Sequence, residues 1–315
     1  MARRCNAASG LATQAVSLDQ LWIGSTMMTQ SRIKMVQCIS PAGLHRMAYQ
    51  TWGDDKNPRV LICVHGVTRI SDDFDRLAES LSEHYRVICP DVVGRGRSEW
   101  LRDPRLYAVP QYVSDMVTLI ARLDVAQVDW VGTSMGGLIG MGLAALPDSP
   151  IQKMVLNDIG PNLNFPALTR IGDYIAQEVR FDTFEQGRDY IRTVSAPFGP
   201  HSDAEWDKLA RDVLRQGSDG KWKRHYDPAI AKGFEGITEE GTKRSEAGLW
   251  AAYDAIRAPV LLVRGSESDL LTRETAQAMT QRGPRAQLAE ISGVGHAPTF
   301  MHDDQISLVK HFFLD

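Results

Sequence analysis

Cysteine is scarce in this chain. Four occur in 315 residues, at positions 5, 38, 63 and 89, with no CxxC pair and no metal-ligand spacing to a histidine. That excludes a disulfide framework and a zinc knuckle, and it points to a reducing, cytoplasmic setting with no metal called for. Charge of one sign is also missing. The 35 basic and 39 acidic residues are mixed along the chain and sum to −4, so no basic stripe can neutralise a phosphate backbone and nucleic acid is excluded as a partner. Nor is there a long apolar run. The most apolar stretch, residues 136–147, is half glycine and alanine, and a membrane span needs about 18 consecutive apolar residues. Residues 1–30 lack a compact apolar run and a small-residue cleavage site, and they read as a loosely attached extension rather than a secretory signal. No internal repeat or low-complexity segment is visible.

What is present is an alternation of buried strands and amphipathic helices. Residues 32–39 and 44–51 flank Ser-Pro-Ala-Gly and predict an antiparallel hairpin. Continuous apolar runs at 60–64 and 85–89 have the character of strands buried on both faces. Further strands are expected at 128–131, 153–156, 260–263 and 287–291, and helical spacing at 74–81, 112–123 and 135–146. This predicts an α/β fold with a mostly parallel sheet of about eight strands, helices on both faces and a ligand site at the carboxyl ends of the strands. Between residues 160 and 257 the alternation stops. Helical patterns at 165–179, 183–196, 204–214 and 245–256 follow one another, interrupted by a loop-rich stretch at 217–236. The expected organisation is therefore a core of residues 31–160 and 258–315, with residues 161–257 inserted as a helical cap, or lid.

The chemistry-bearing residues cluster at predicted strand ends. Gly132-Thr133-Ser134-Met135-Gly136 matches G-x-S-x-G between a strand and a helix, where flanking glycines permit a tight turn and the helix N-terminus stabilises developing negative charge. Ser134 is thus a candidate nucleophile. A serine hydroxyl needs a base, and of the eight histidines His296, in Gly-Val-Gly-His-Ala-Pro after the last strand, is the best placed. His65 is expected to brace its own loop instead. The base needs a carboxylate to fix its tautomer, and the sequence favours Asp269 in Ser-Glu-Ser-Asp, with Glu267 and Asp158 as rivals. Attack on a carbonyl also requires two preorganised N–H donors, assigned by position to the backbone amides of Met135 and Val67. Arg69, just past Val67, is a candidate contact for a substrate carboxylate. Arg95 and Arg97 are read as structural.

These pieces, in this order, resemble the α/β-hydrolase fold family from about residue 32 to the end: His65-Gly66 after the third strand, Asp91-Val-Val-Gly-Arg-Gly-Arg-Ser98 after the fourth, the turn at Ser134, then Asp269 and His296. The resemblance implies a serine hydrolase of the esterase, lactonase or thioesterase kind, which needs no cofactor and acts on a small to medium acyl substrate. A serine nucleophile disfavours the haloalkane dehalogenases and most epoxide hydrolases of this fold, and the single glycine of His-Gly-Val-Thr-Arg disfavours the hormone-sensitive-lipase branch. Thr133 departs from the asparagine usual before the nucleophile of the carbon–carbon-bond hydrolases acting on ring-cleavage products. That activity is the alternative enzyme reading, and a non-catalytic ligand receptor on the same fold is the alternative of another class. The residues leave a homo-oligomer open.

Overall fold

The structure, a computed structural model, describes residues 31–315; the N-terminal extension lies outside them. Strands β1 (Arg32–Ser40) and β2 (Gly43–Trp52) pair antiparallel, and the register Ser40↔Gly43 closes a two-residue turn at Pro41-Ala42. Gly43 takes φ 114°, a conformation only glycine adopts without strain. There follow β3 (Val60–Val64), α1 (Asp75–Leu81), β4 (Arg86–Pro90), α2 (Val109–Leu123), β5 (Val128–Thr133), α3 (Met135–Ala144) and β6 (Ile151–Asn157).

The chain then leaves the sheet through α4 (Phe165–Ala176), α5 (Phe184–Val194), α6 (Asp203–Val213), a small hairpin of β7 (Leu214–Gln216) and β8 (Trp222–Arg224), and α7 (Glu239–Ala255). It returns as β9 (Val260–Gly265), α8 (Arg273–Met279), β10 (Gln287–Ile291) and α9 (Asp303–Leu314). The sheet order is β1-β2-β4-β3-β5-β6-β9-β10, parallel from β4 to β10.

Both sheet faces are covered, as continuous apolar strands demand. Leu77 and Leu81 of α1 and Ile306, Val309 and Phe313 of α9 pack on one face with Leu61 and Val131. On the other, Tyr112, Met116 and Leu119 of α2 and Ile139 of α3 pack with Ile62 and Trp130. The strands β5, β6 and β9 lie side by side, so the loops leaving their carboxyl ends meet at one place.

The inserted helical segment differs from its expected form in two respects. Residues 217–236, read as loop, contain β8 and a short 3-10 helix, Pro228–Phe234. Strands of three residues are too short to carry a periodic signal; pairing with β7 and the bridge from Trp222 to Phe181 hold β8 in place. Helix α7 also starts earlier than its apolar pattern, because Thr238 caps it by accepting from the Gly241 amide at 3.1 Å. No helix among the described residues is long and apolar enough to cross a membrane.

Candidate active site

Ser134 sits at the junction of β5 and α3 with φ 52° and ψ −115°, a backbone state that costs on the order of 1–3 kcal/mol and persists only where the surroundings enforce it. The enforcement is steric and hydrogen-bonded. A Cβ on Gly136 would collide with the Val64 carbonyl, and one on Gly132 with the backbone of Gly136, so helix and strand approach as only glycine allows. The Ser134 amide donates to the Asn157 carbonyl at 3.0 Å, and the Trp130 indole donates to the Gly136 carbonyl at 3.1 Å. The turn lifts the Ser134 side chain out of the sheet toward the lid.

His296 arrives from the loop after β10. This loop is fixed at both flanks: the Glu267 amide donates to the Val294 carbonyl at 2.9 Å, and the Gly295 amide donates to the lid's Pro197 carbonyl at 2.6 Å. The Ser134 hydroxyl lies 2.9 Å from Nε2 of His296, and Nδ1 lies 2.8 Å from Oδ2 of Asp158. A carboxylate can only accept, so Nδ1 carries the proton toward Asp158 and Nε2 is left to accept from Ser134.

The carboxylate at His296 is therefore that of Asp158, and the expectation for Asp269 is corrected. Asp158 is the first residue after β6, fully buried, with φ 57°. Besides His296 it accepts from the Gly265 amide at 2.9 Å and from the Ser268 hydroxyl at 2.5 Å. Asp269 lies four residues past the end of β9, exposed, and pairs with Arg170 of lid helix α4. Burial acts to raise its carboxyl, but Arg170 outweighs this and holds it below the usual carboxylate range. Glu267 is exposed. The physical reason is adjacency: β6 is the immediate neighbour of the nucleophile's strand β5, whereas β9 lies one strand further out.

The amides of Val67 and Met135 border the same space as Ser134, and neither is bonded to a protein acceptor among the described residues. Val67 is held by fully buried Arg95, which donates to its carbonyl at 2.9 Å and to the Tyr112 hydroxyl at 2.9 Å. Arg97 pairs with Asp72 and Asp91. His65 braces its loop as expected: Nδ1 donates to the Gly66 carbonyl at 2.7 Å and Nε2 accepts from the Val92 amide at 2.9 Å. Burial pushes its pKa down to about 4, so it stays neutral.

Two cavities meet at Ser134. One, about 120 Å³, is bordered by His296, Arg69, Tyr174, Arg224 and Tyr226. The other, about 450 Å³, is bordered mainly by apolar side chains, among them Leu138, Leu163, Ile230 and Phe234. Arg69 faces the smaller cavity, but its guanidinium is already engaged by Asp73 through Nε and Nη2, at 2.8 and 2.6 Å, and by the Leu209 carbonyl of α6 at 3.3 Å.

Away from this site, Cys38, His45 and Asp115 come together beneath the hairpin. Burial and the Asp115 charge push the Cys38 thiol up to about 12, which keeps it protonated.

A model of the Alpha/beta hydrolase family matches residues 61–307. A 3-hydroxybutyrate-oligomer hydrolase from Cupriavidus necator is 56% identical over 290 residues, covering 91% of this chain and 99% of that protein. The chain belongs to the alpha/beta hydrolase family. An esterase of Mycobacterium tuberculosis is 29% identical over 245 residues, 73% of each chain. Among solved structures, an alpha/beta hydrolase from Novosphingobium aromaticivorans superposes with a TM-score of 0.80 at 33% identity, covering 91% of this chain and 99% of that one. As an alpha/beta hydrolase this chain is of the carboxylesterase-like kind, a hydrolase of carboxylic esters.

Proposed function

We propose that the chain cleaves short linear oligoesters of hydroxyalkanoic acids, of the 3-hydroxybutyrate type, through an acyl-enzyme on Ser134. The carrying observation is the hydrogen-bonded line Ser134–His296–Asp158 in a chain 56% identical to the Cupriavidus necator oligomer hydrolase. Ser134 Oγ attacks the ester carbonyl as its proton passes to Nε2 of His296, and the buried Asp158 carboxylate stabilises the imidazolium. The amides of Val67, in the loop after β3, and of Met135, at the N-terminus of α3, receive the oxyanion; one such donor is worth roughly 3 kcal/mol in the transition state. When the bond from carbonyl carbon to ester oxygen breaks, Nε2 returns the proton to the leaving alkoxide. A water deprotonated by His296 then releases the acid and restores Ser134.

Cytoplasmic residence is part of the proposal, supported by the buried free thiols of Cys38, Cys63 and Cys89. The test is turnover of the linear 3-hydroxybutyrate dimer and of nitrophenyl butyrate by the parent protein and by Ser134→Ala. We expect Ser134→Ala to lower kcat by roughly 10⁴-fold or more for both, with a fluorophosphonate labelling Ser134 in the parent only. Turnover of a ring-cleavage dienoate without any ester would favour carbon–carbon-bond hydrolysis, and ligand binding with no turnover on a broad ester panel would favour a receptor.

A further inference from the structure

Resting on that reading, we infer that Arg224 of the lid hairpin binds the free carboxylate of the leaving hydroxy acid, so that the enzyme cleaves oligomers at the ester nearest their carboxyl end. The two cavities at Ser134 differ in which side chains border them, Arg69, Arg224 and His296 at the smaller and mainly aliphatic and aromatic groups at the larger, and the mechanism assigns them. The imidazole must hand its proton to the leaving oxygen, so the leaving group occupies the side that His296 borders, which is the smaller cavity. The acyl group occupies the larger, apolar one.

On the leaving-group side stand two guanidinium groups in different states. Arg69 is neutralised by Asp73. Arg224 has no carboxylate partner among the described residues. Its Nη1 donates to the Tyr174 carbonyl at 2.7 Å, and its guanidinium lies over the rings of Tyr174 and Tyr226 at 4.7 and 5.0 Å. Lying over two tyrosine rings, the half-buried cation keeps the planar donor fork that recognises a carboxylate. Its backbone is equally fixed. Arg224 pairs with Leu214 in the hairpin, the His225 amide donates to the Val213 carbonyl at 2.7 Å, and Tyr226 bridges to Arg95 in the core. A hydroxy acid carries hydroxyl and carboxylate on one short chain, so its ester oxygen reaches Nε2 of His296 while its carboxylate meets Arg224. A neutral alcohol fills the same cavity without using the charge.

The experiment compares kcat/KM for the linear 3-hydroxybutyrate dimer and for its methyl ester, with nitrophenyl butyrate reporting that the site is assembled. The parent protein should favour the free acid at least tenfold. Arg224→Gln should collapse that ratio toward one, chiefly through KM for the acid, and weaken inhibition of nitrophenyl ester turnover by the 3-hydroxybutyrate anion by a similar factor. Arg224→Lys should restore part of both. A parent ratio near one overturns the assignment of Arg224 while leaving ester hydrolysis standing, as does a ratio unchanged by Arg224→Gln. Equal loss on all three substrates in Arg224→Gln also overturns it, because Arg224 would then only hold the lid. Failure of the parent protein on every ester overturns the proposed function and this inference together.

Discussion

Asp158 and Asp269 give the sharpest contrast at the level of single residues. Both are aspartates just past a parallel strand, yet one accepts three hydrogen bonds in full burial and the other makes an exposed ion pair. Asp158→Asn removes the charge behind His296 and permits the wrong tautomer, so kcat for nitrophenyl butyrate should fall by roughly 10⁴-fold. Asp269→Asn breaks only an exposed pair, worth about 0–1 kcal/mol, and should change kcat less than threefold. A steady-state assay of the two variants decides the assignment, and the reverse ranking would return the role to Asp269.

Ser134, His296 and the loop-bracing role of His65 were legible in the sequence because each sits in a local motif. The acid was not, because its identity depends on which strand lies beside β5, and sheet order is a non-local property. Arg224 carried no sequence signal at all, since its meaning lies in what is missing around it.

At the level of elements, the lid is joined to the core by a cluster of charges beneath α6. Arg69 of the core, paired with Asp73, donates to the Leu209 carbonyl, and Lys208 meets Asp75 and Asp212. Arg69→Ala leaves Asp73 without its partner close to Asp212. Breaking a pair this buried costs roughly 3 kcal/mol. We expect faster proteolysis within α6 and a lower urea midpoint, and unchanged protection of α6 would dissociate Arg69 from lid attachment. The core strands and helices α1 to α3 lie close to their expected bounds, since strands buried on both faces and amphipathic helices announce themselves by period, whereas α8 and α9 lie outside the helices expected from the sequence. The lid hairpin does not, as its three-residue strands are defined by partners rather than by pattern.

For the whole molecule, the dependence of stability on pH follows from a fully buried histidine, His65, and a half-buried one, His225. Burial lowers both His65 and His225 to about 4 from an ordinary 6.5. Between those values the unfolded chain binds protons that the folded chain refuses, so stability rises with pH and falls as pH drops from 6.5 toward 4. Asp212 acts oppositely: burial raises its carboxyl from 3.8 to about 6, so the folded chain takes up its proton first and gains on acidification. Burial lowers His201 in the histidines' sense and raises Asp75 and Asp129 in the sense of Asp212; His65 and His225, which titrate across the whole interval from 6.5 to about 4, set the expectation of a net loss on acidification. The urea midpoint should be lower at pH 5 than at pH 7, and His225→Asn should narrow the gap. An equal or higher midpoint at pH 5 would contradict the burial of these rings as neutral species.

The division of labour between β6 and β9 has an evolutionary corollary. With the acid seated next door to the serine, Asp269 in the loop after β9 is left out of the hydrogen-bonded line and grips the cap through Arg170 instead. Substitutions at the entrance can therefore retune which esters are admitted while the relay beneath continues undisturbed.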